Sequence, residues 1–283
     1  MAKTSTKKED RELLIGFCVV LATVLVLALM AAALGQIAAI LRRPSTQPPS
    51  STAPTLIHNP FGAQDFVMEN GYITCPAGNS VLGVDVSEYQ GTIDWPTVAA
   101  QNIGFAMIRI GGRGWGAQGT LYADACWQQN LEGARAAGLQ VGVYFYSQAI
   151  SVEEAEEEAA FVLELLQGQA LDLPVVFDWE FAPSEDGRTH GMSPKTLDQC
   201  VLAFCEKIRS AGYQPMVYFN QELGWRMLDL LQLQQQGYGF WLAMYSGAMT
   251  YPYRVDLWQY TSAGTVPGIP AAVDLNLWFR YDT

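Results

Sequence analysis

From Val81 onward, short apolar runs alternate with stretches in which apolar residues recur every three or four positions. The runs VLGVDV (81–86), GFAMIRI (104–110), LQVGVYFYS (139–147), LPVVFDWE (173–180) and QPMVYFN (214–220) predict strands, being near-continuous apolar blocks of strand length. Helical patterns fall between them: a short one at Pro96–Gln101, then 123–137, which stops at Gly138. A third runs over 151–168, with Ser151 and Glu154 as its capping pair and Gly168 at its end; a fourth runs from Ser193 to Ala211 and stops at Gly212. FWLAMYS (240–246), VDLWQYT (255–261) and AVDLNLW (272–278) follow at closer spacing. Strands that alternate with helices and read as continuous apolar runs indicate parallel βαβ units. Eight strands, five separated by helices and three more closely spaced, predict an α/β, TIM-like barrel with a degenerate last third. An open doubly wound sheet would need a glycine-rich phosphate turn after a strand. GGRGWG (111–116) has the glycines but no convincing helix behind it, and reads as a loop.

Ahead of the barrel the pattern changes. Residues 13–41 carry no charge, and LLIGFCVVLATVLVLALMAAALG (13–35) as a helix spans roughly 35 Å, enough for a bilayer core of about 30 Å. A cleaved signal peptide has a shorter apolar core of about 7–15 residues, so an uncleaved anchor is expected. Lys3, Lys7, Lys8 and Arg11 precede it, against Arg42 and Arg43 behind it, which puts the N-terminus in the cytoplasm and the large domain outside. PSTQPPSSTAPT (44–55) is a semi-rigid spacer. The expected organisation is a cytoplasmic tail (1–12), an anchor (13–41), a Pro/Ser/Thr-rich linker (42–56), a pre-barrel segment without an assigned role (57–80) and the barrel (81–283).

Charge and composition narrow the chemistry. The 227 residues from Ile57 on are enough for one barrel domain. From Pro44 on the chain carries 10 Lys and Arg against 25 Asp and Glu, which argues against nucleic acid and against binding acidic lipid by charge, and is compatible with a neutral glycan. Cys200 and Cys205 lie five apart in a helical pattern, too far for a disulfide, and read as buried small hydrophobes; Cys75 and Cys126 are left open as a pair. With only His58 and His190 and no CxxC, neither a metal site nor a His-based triad is expected, and no cofactor is implied.

Several strands end in polar residues, and in barrels of this type the C-terminal strand ends carry the active site. The first ends near Asp85, the fourth in Asp178 and Glu180, the fifth in Tyr218 and Asn220. The seventh supplies Trp258, Gln259 and Tyr260, and the last Asp274 and Asn276. Four carboxylates would meet at one mouth among aromatics. Asp178 and Glu180, two apart on a strand, share a face at roughly 6.5–7 Å along the chain. Carboxylates crowded in this way raise at least one pKa, giving the protonated and ionised pair that glycosidic cleavage requires. Trp179 between them faces outward and packs. Arg109, a charge inside an apolar strand, needs a partner and is expected to pair with one of these carboxylates. The acidic run Glu153–Glu158 reads as a solvated helix N-terminus, and His190 as a surface residue.

GVDVSEYQGTIDW (83–95), FAMIRIGGRGWG (105–116), GVYFYSQA (142–149), PVVFDWE (174–180), MVYFN (216–220), LWQYTSAGTVPGI (257–269) and VDLN (273–276) resemble, in that order, the glycosyl hydrolase family 25 lysozymes, the Chalaropsis-type muramidases. The sequence looks most like the membrane-anchored members from Gram-positive bacteria. The resemblance implies an irregular (β/α)5(β)3 barrel that cleaves the β-1,4 bond between N-acetylmuramic acid and N-acetylglucosamine in peptidoglycan. It puts the general acid on Glu180, a nucleophile or a helper of the substrate's N-acetyl group on Asp178, and the two shaping aspartates on Asp85 and Asp274. Tyr218 falls beside the sugar, and Tyr146, Trp258, Gln90 and Arg109 are taken with it as substrate-binding. A monomer is expected, acting on peptidoglycan strands at the outer face of the cell membrane. Arg109-Ile110-Gly111 departs from the usual pattern of the family, which touches the sugar subsites. A silent glycan-binding protein would have no need of Glu180; a chitinase-like enzyme is disfavoured by Val176, where that signature carries Asp.

Overall fold

The computed structural model describes residues 54–184 and 186–281. The tail, the anchor and nearly all of the linker expected over residues 1–53 lie outside the described residues. Among the described residues no helix is long and apolar enough to cross a membrane. A small hairpin, β1 (Val67–Glu69) and β2 (Tyr72–Thr74), precedes β3 (Ser80–Val86). Then come α1 (Trp95–Ala99), β4 (Phe105–Arg113), β5 (Leu121–Ala123), α2 (Trp127–Ala136), β6 (Gln140–Ser147), α3 (Val152–Leu166), β7 (Val175–Trp179) and α4 (Pro194–Ser210). The chain continues through β8 (Pro215–Asn220), α5 (Gln221–Arg226), α6 (Leu230–Gln235), β9 (Gly239–Ala243), β10 (Leu257–Gly264) and β11 (Val273–Phe279).

The strand order is β3-β11-β10-β9-β8-β7-β6-β4, and a β3–β4 pairing closes it into an eight-stranded barrel. Seven strands run parallel; β11 alone is antiparallel to both its neighbours, β10 and β3. The first five barrel strands, β3, β4, β6, β7 and β8, are each followed by at least one helix before the next, and the last three are joined by loops. This is the architecture the apolar pattern predicts. The helix starts follow the sequence signals. Ser151 accepts from the Glu154 amide and Ser193 from the Thr196 amide, and Gln167 and Gly168 close α3 in left-handed conformations.

One reading fails in part. Gly111, Gly112 and Arg113 continue β4 and pair with β5 in an antiparallel hairpin. A Cβ at Gly111 would lie 2.4 Å from the Tyr122 carbonyl oxygen, so glycine is what lets β5 approach so closely. A strand was missed there because glycine lowers strand propensity, and the pairing partner lies ten residues away.

The core has two parts. Inside the barrel, Phe105, Met107, Val176, Met216, Trp241 and Leu257 fill the lower layers. Between barrel and helices lies a larger layer containing Val84, Ile108, Phe145, Phe177, Trp179, Phe204 and Leu223. The strands β10 and β11 have no helix of their own. Residues 54–80 cover them instead. Asn59 and Arg254 donate from their backbones to Pro252 and Ile57 at 3.0 and 2.8 Å, tying the segment to the loop before β10. Phe66 meets the edge of Trp258 at 5.1 Å, and Phe61 stacks on Phe279 at 5.2 Å. The pre-barrel segment thus has a packing role: it keeps water from an apolar strand face that the helical layer leaves open.

Candidate active site

The two-residue period of each strand sorts its side chains between the barrel interior and the outer layer. On β3, Val84 and Val86 face outward and Asp85 inward; on β4, Ile108 and Ile110 face outward and Arg109 follows Phe105 and Met107 inward. On β7, Phe177 and Trp179 face outward, and Asp178 follows Val176 inward. Cross-strand register then sets heights: Asp274 stands opposite Asp85, Tyr146 beside Asp178, Asp178 beside Tyr218, Tyr218 beside Trp241, and Gln259 between Ala243 and Asn276. Asp85, Asp178, Asp274, Glu180, Tyr146 and Tyr218 therefore converge on the C-terminal end of the barrel, as the sequence predicts.

The carboxylates are crowded and poorly hydrated. Burial holds Asp85 well above the ordinary carboxylate range, and the facing Asp274 adds to it. Asp178, also buried, is raised by burial, then by Glu180 and Asp85, with Arg109 opposing. Burial and then Asp274 raise Glu180. Burial pushes Asp274 up to about 6. Asp178 Oδ1 is buried and finds no donor among the described residues. Crowded carboxyl groups with raised pKa values share protons as a set, the arrangement from which one acid and one ionised partner can arise.

Asp85 is treated differently from Asp178. Its Oδ2 accepts from Gln259 Nε2 at 2.9 Å and from Asn276 Nδ2 at 2.7 Å, and Asn276 in turn accepts from the Trp241 indole at 2.9 Å. The Tyr245 and Tyr218 hydroxyls donate to Gln259 Oε1 at 3.1 and 3.5 Å. Just after β6, Gln148 donates to the Glu180 backbone carbonyl at 2.7 Å, and the Trp179 indole donates to the Ala149 carbonyl at 2.9 Å, fixing the strand end that carries the pair. Exposed Tyr89, Trp115 and Tyr245 stand on loops that follow strand ends β3, β4 and β9.

Three expected assignments change. Trp258 does not face the mouth: it is 0 % exposed, packs outward against Phe66 and Tyr260, and donates its indole N–H to the Met244 carbonyl. Of the triplet Trp258-Gln259-Tyr260, strand alternation turns only Gln259 inward. Gln90 spends its amide inside the chain, donating to the Ala272 carbonyl and accepting from the Ser87 amide, so it braces the turn after β3 and the β10–β11 loop. Arg109 pairs with none of the four mouth carboxylates. Its guanidinium is held by buried Asp124 at 2.7–2.8 Å and by Glu88 at 3.1 Å, and lies over the Tyr89 ring.

The acidic run on α3 is also more than a solvated face. Glu158 is fully buried, accepts from Arg113 at 2.8 Å and from Ser147 at 2.6 Å, and is pushed up to about 7 by burial. Arg113 also pairs with Glu157, and Glu154 with Arg188, so the run ties α3 to the β4–β5 hairpin and to the β7–α4 loop. His190 is exposed, as expected. Cys75, Cys126, Cys200 and Cys205 are all free thiols, with 200 and 205 buried. Among the described residues no cluster of His, Cys, Asp and Glu is arranged to hold a metal ion.

Gln259 and Asn276 are among the strand-end residues named from the sequence, without an assigned role; Tyr245 and Asp124 are not. Tyr245 and Asp124 lie in segments whose partners are distant in the chain, and the strand pattern carries no trace of them.

Comparison with known proteins follows the same outline. The sequence model described as Glycosyl hydrolases family 25 matches residues 84–269. The chain is 28 % identical over 225 residues to the uncharacterized protein YegX of Escherichia coli K12, covering 73 % of this chain and 72 % of that protein. It is 27 % identical over 210 residues to lysozyme M1 of Streptomyces globisporus, covering 71 % and 69 %. The modular autolysin LytC of Streptococcus pneumoniae, solved with a synthetic peptidoglycan ligand, superposes with a TM-score of 0.61 at 24 % identity, covering 76 % of this chain. The chain spans about half, 52 %, of that autolysin, and this likeness is one of fold.

Proposed function

The chain belongs to the family 25 glycosyl hydrolases, and from that premise we propose that it is a muramidase that cleaves the β-1,4 bond between N-acetylmuramic acid and N-acetylglucosamine in peptidoglycan. The observation that carries this reading is the Asp178–Glu180 pair at the C-terminal end of β7, both raised by burial and flanked by Asp85 and Asp274 at one mouth. The lysozyme and autolysin among the similar proteins support a peptidoglycan substrate.

In this mechanism Glu180 holds the proton when the glycan is bound and delivers it to the glycosidic oxygen as the bond breaks. A raised pKa suits that task, because it favours the protonated form of the acid. Asp178, left ionised, stabilises the positive charge growing at the anomeric carbon, directly or by orienting the 2-acetamido group of the sugar. Asp85 and Asp274 supply negative charge behind the pair and hold its proton affinity up. Tyr146 and Tyr218 flank Asp178 in register and offer rings and hydroxyls to the sugar.

The uncharged run 13–41 and the Pro/Ser/Thr-rich segment behind it support a single-pass anchor, with the N-terminus in the cytoplasm and the barrel at the outer face of the membrane.

The test is digestion of purified peptidoglycan by the full chain, followed by reduction and mass spectrometry. Muropeptides ending in reduced muramic acid are expected. Glu180→Gln is expected to lose activity by about a thousandfold or more while still binding glycan, since it removes the proton donor and keeps the shape. Intact glycan after digestion, or an active Glu180→Gln variant, would overturn the reading.

A further inference from the structure

The hydrogen bonds around Asp85 form a chain with a defined direction. The Gln259 amide is ambiguous in principle, because its oxygen and nitrogen could exchange places. Here the neighbours remove the ambiguity. Two phenol hydroxyls, of Tyr245 and Tyr218, reach one end of the amide at 3.1 and 3.5 Å, and the Asp85 carboxylate lies 2.9 Å from the other. An ionised Asp85 only accepts, so in that state the NH2 end faces it and the carbonyl end receives the phenols. Asn276 is fixed in the same way between the Trp241 indole and Asp85. The five donors thus fall into two tiers, with Gln259 and Asn276 touching Asp85 and the three aromatics, Tyr245, Tyr218 and Trp241, holding the amides in orientation.

The tiers differ in exposure. Asn276 and Trp241 are buried in the barrel, so their arm is permanent. Tyr245 is 58 % exposed at the start of the β9–β10 loop, so its arm is open to whatever lies across the mouth. A glycan seated there would cover the Tyr245 ring and exclude water from its hydroxyl, and a hydrogen bond shielded from water strengthens. Gln259 is the last regularly paired residue of β10 before the pairing with β11 shifts register between Gln259 and Thr261.

We propose that Gln259 and Tyr245 are positioning residues for Asp85, with Gln259 orienting its carboxylate and Tyr245 making that orientation depend on the glycan bound at the rim. The kinetic consequences rest on the muramidase reading; the structural ones do not. The titratable groups that face Asp85 are Asp274 on β11, Asp178 on β7, Glu180 just after it, Tyr144 on β6, Tyr218 on β8 and Tyr245 itself. All of these are acids, so the two amide donors are the main local support for an ionised Asp85.

Two measurements on the full chain in detergent test this. The first follows the protonation of Asp85 by the 13C shift of its carboxyl carbon in protein labelled at aspartate, and needs no activity. Gln259→Leu, which removes one donor from a buried carboxylate, should raise its titration midpoint by about one pH unit, and Tyr245→Phe by a smaller amount. The second is kinetic. Tyr245→Phe keeps the ring, so KM should change little while kcat falls severalfold; Gln259→Leu should lower kcat by about tenfold or more. The double variant should match Gln259→Leu, since the phenol acts through the amide. An unchanged Asp85 midpoint in both single variants, or additive losses in the double variant, would overturn the proposal. Shifted Asp85 midpoints in the variants, together with a wild-type chain that leaves peptidoglycan intact, would sustain the relay and sink the muramidase reading instead.

Discussion

Asp274 on β11 stands directly opposite Asp85 on β3, a like-charged pair across two antiparallel strands at the mouth of the barrel. Such pairing destabilises a sheet, and here it sits in a half-closed site where burial already disfavours both charges. Its effect reaches the reacting pair, because the Asp274 charge is one cause that raises Glu180.

A pH–rate measurement checks this directly. Glu180 must be protonated to act, so activity falls as pH rises through its raised pKa. The basic limb of the kcat/KM profile is expected above the ordinary glutamate range. Asp274→Asn removes a negative charge and should move that limb to lower pH. A limb that stays in place would mean that another group carries the proton.

Trp258 separates packing from sugar contact. Replacing it with Ala opens a hole between β10 and Phe66 and should cost about 3–5 kcal/mol of stability. KM for peptidoglycan, measured below the melting temperature, should stay near the wild-type value. A raised KM with an unchanged melting temperature would restore Trp258 to the glycan site.

Asp124 is the knot behind Arg109. It accepts from the guanidinium twice, from the Glu88 amide at 3.0 Å and from the Cys126 amide at 2.9 Å. Asp124→Asn leaves a buried guanidinium with Glu88 as its remaining ionic partner, and should destabilise by about 3–5 kcal/mol in a denaturant titration. Arg109→Gln with Asp124→Asn should cost less than the sum of the two, because the stranded charge is gone.

Stability should rise as pH falls from about 8 toward 5. Asp85, Asp178, Asp274, Glu180, Glu158, Asp198 and Asp256 are all raised above their ordinary range, mainly by burial, and the lowered Glu153 and Asp186 are exposed. The folded chain therefore binds more protons than the unfolded one between the ordinary range and the raised values. Stability conferred by those protons is present at the low end of that window and lost as pH rises through the raised pKa values. A melting temperature that climbs from pH 5 to pH 8 would contradict this.

The barrel was legible because its signals are local. A parallel strand buried on both faces reads as an apolar run, and a helix over it reads as a 3.6-residue period with a capping serine and a closing glycine, so β3, β4, β6, β7 and β8 and their helices lay near where the pattern put them. The acid pair was legible for the same reason, since Asp178 and Glu180 share a strand and a face whatever the rest of the chain does. What the pattern could not carry is which distant groups meet. Trp258 and Gln259 are adjacent in sequence and equally able to touch a sugar; only closure of the barrel decided that Gln259 looks into the mouth and Trp258 into the layer under residues 54–80. Arg109 needed a buried anion, and Asp124 won over the mouth carboxylates because β5 and the start of α2 bring it to 2.7 Å. Glu158 looked like one charge among several on a solvated helix end, until the β4–β5 hairpin delivered Arg113 against it. Periodicity is a property of neighbours along the chain and survives without a fold; pairing across 15, 45 or 174 residues is set only when the sheet closes and each buried charge takes the nearest partner that burial allows.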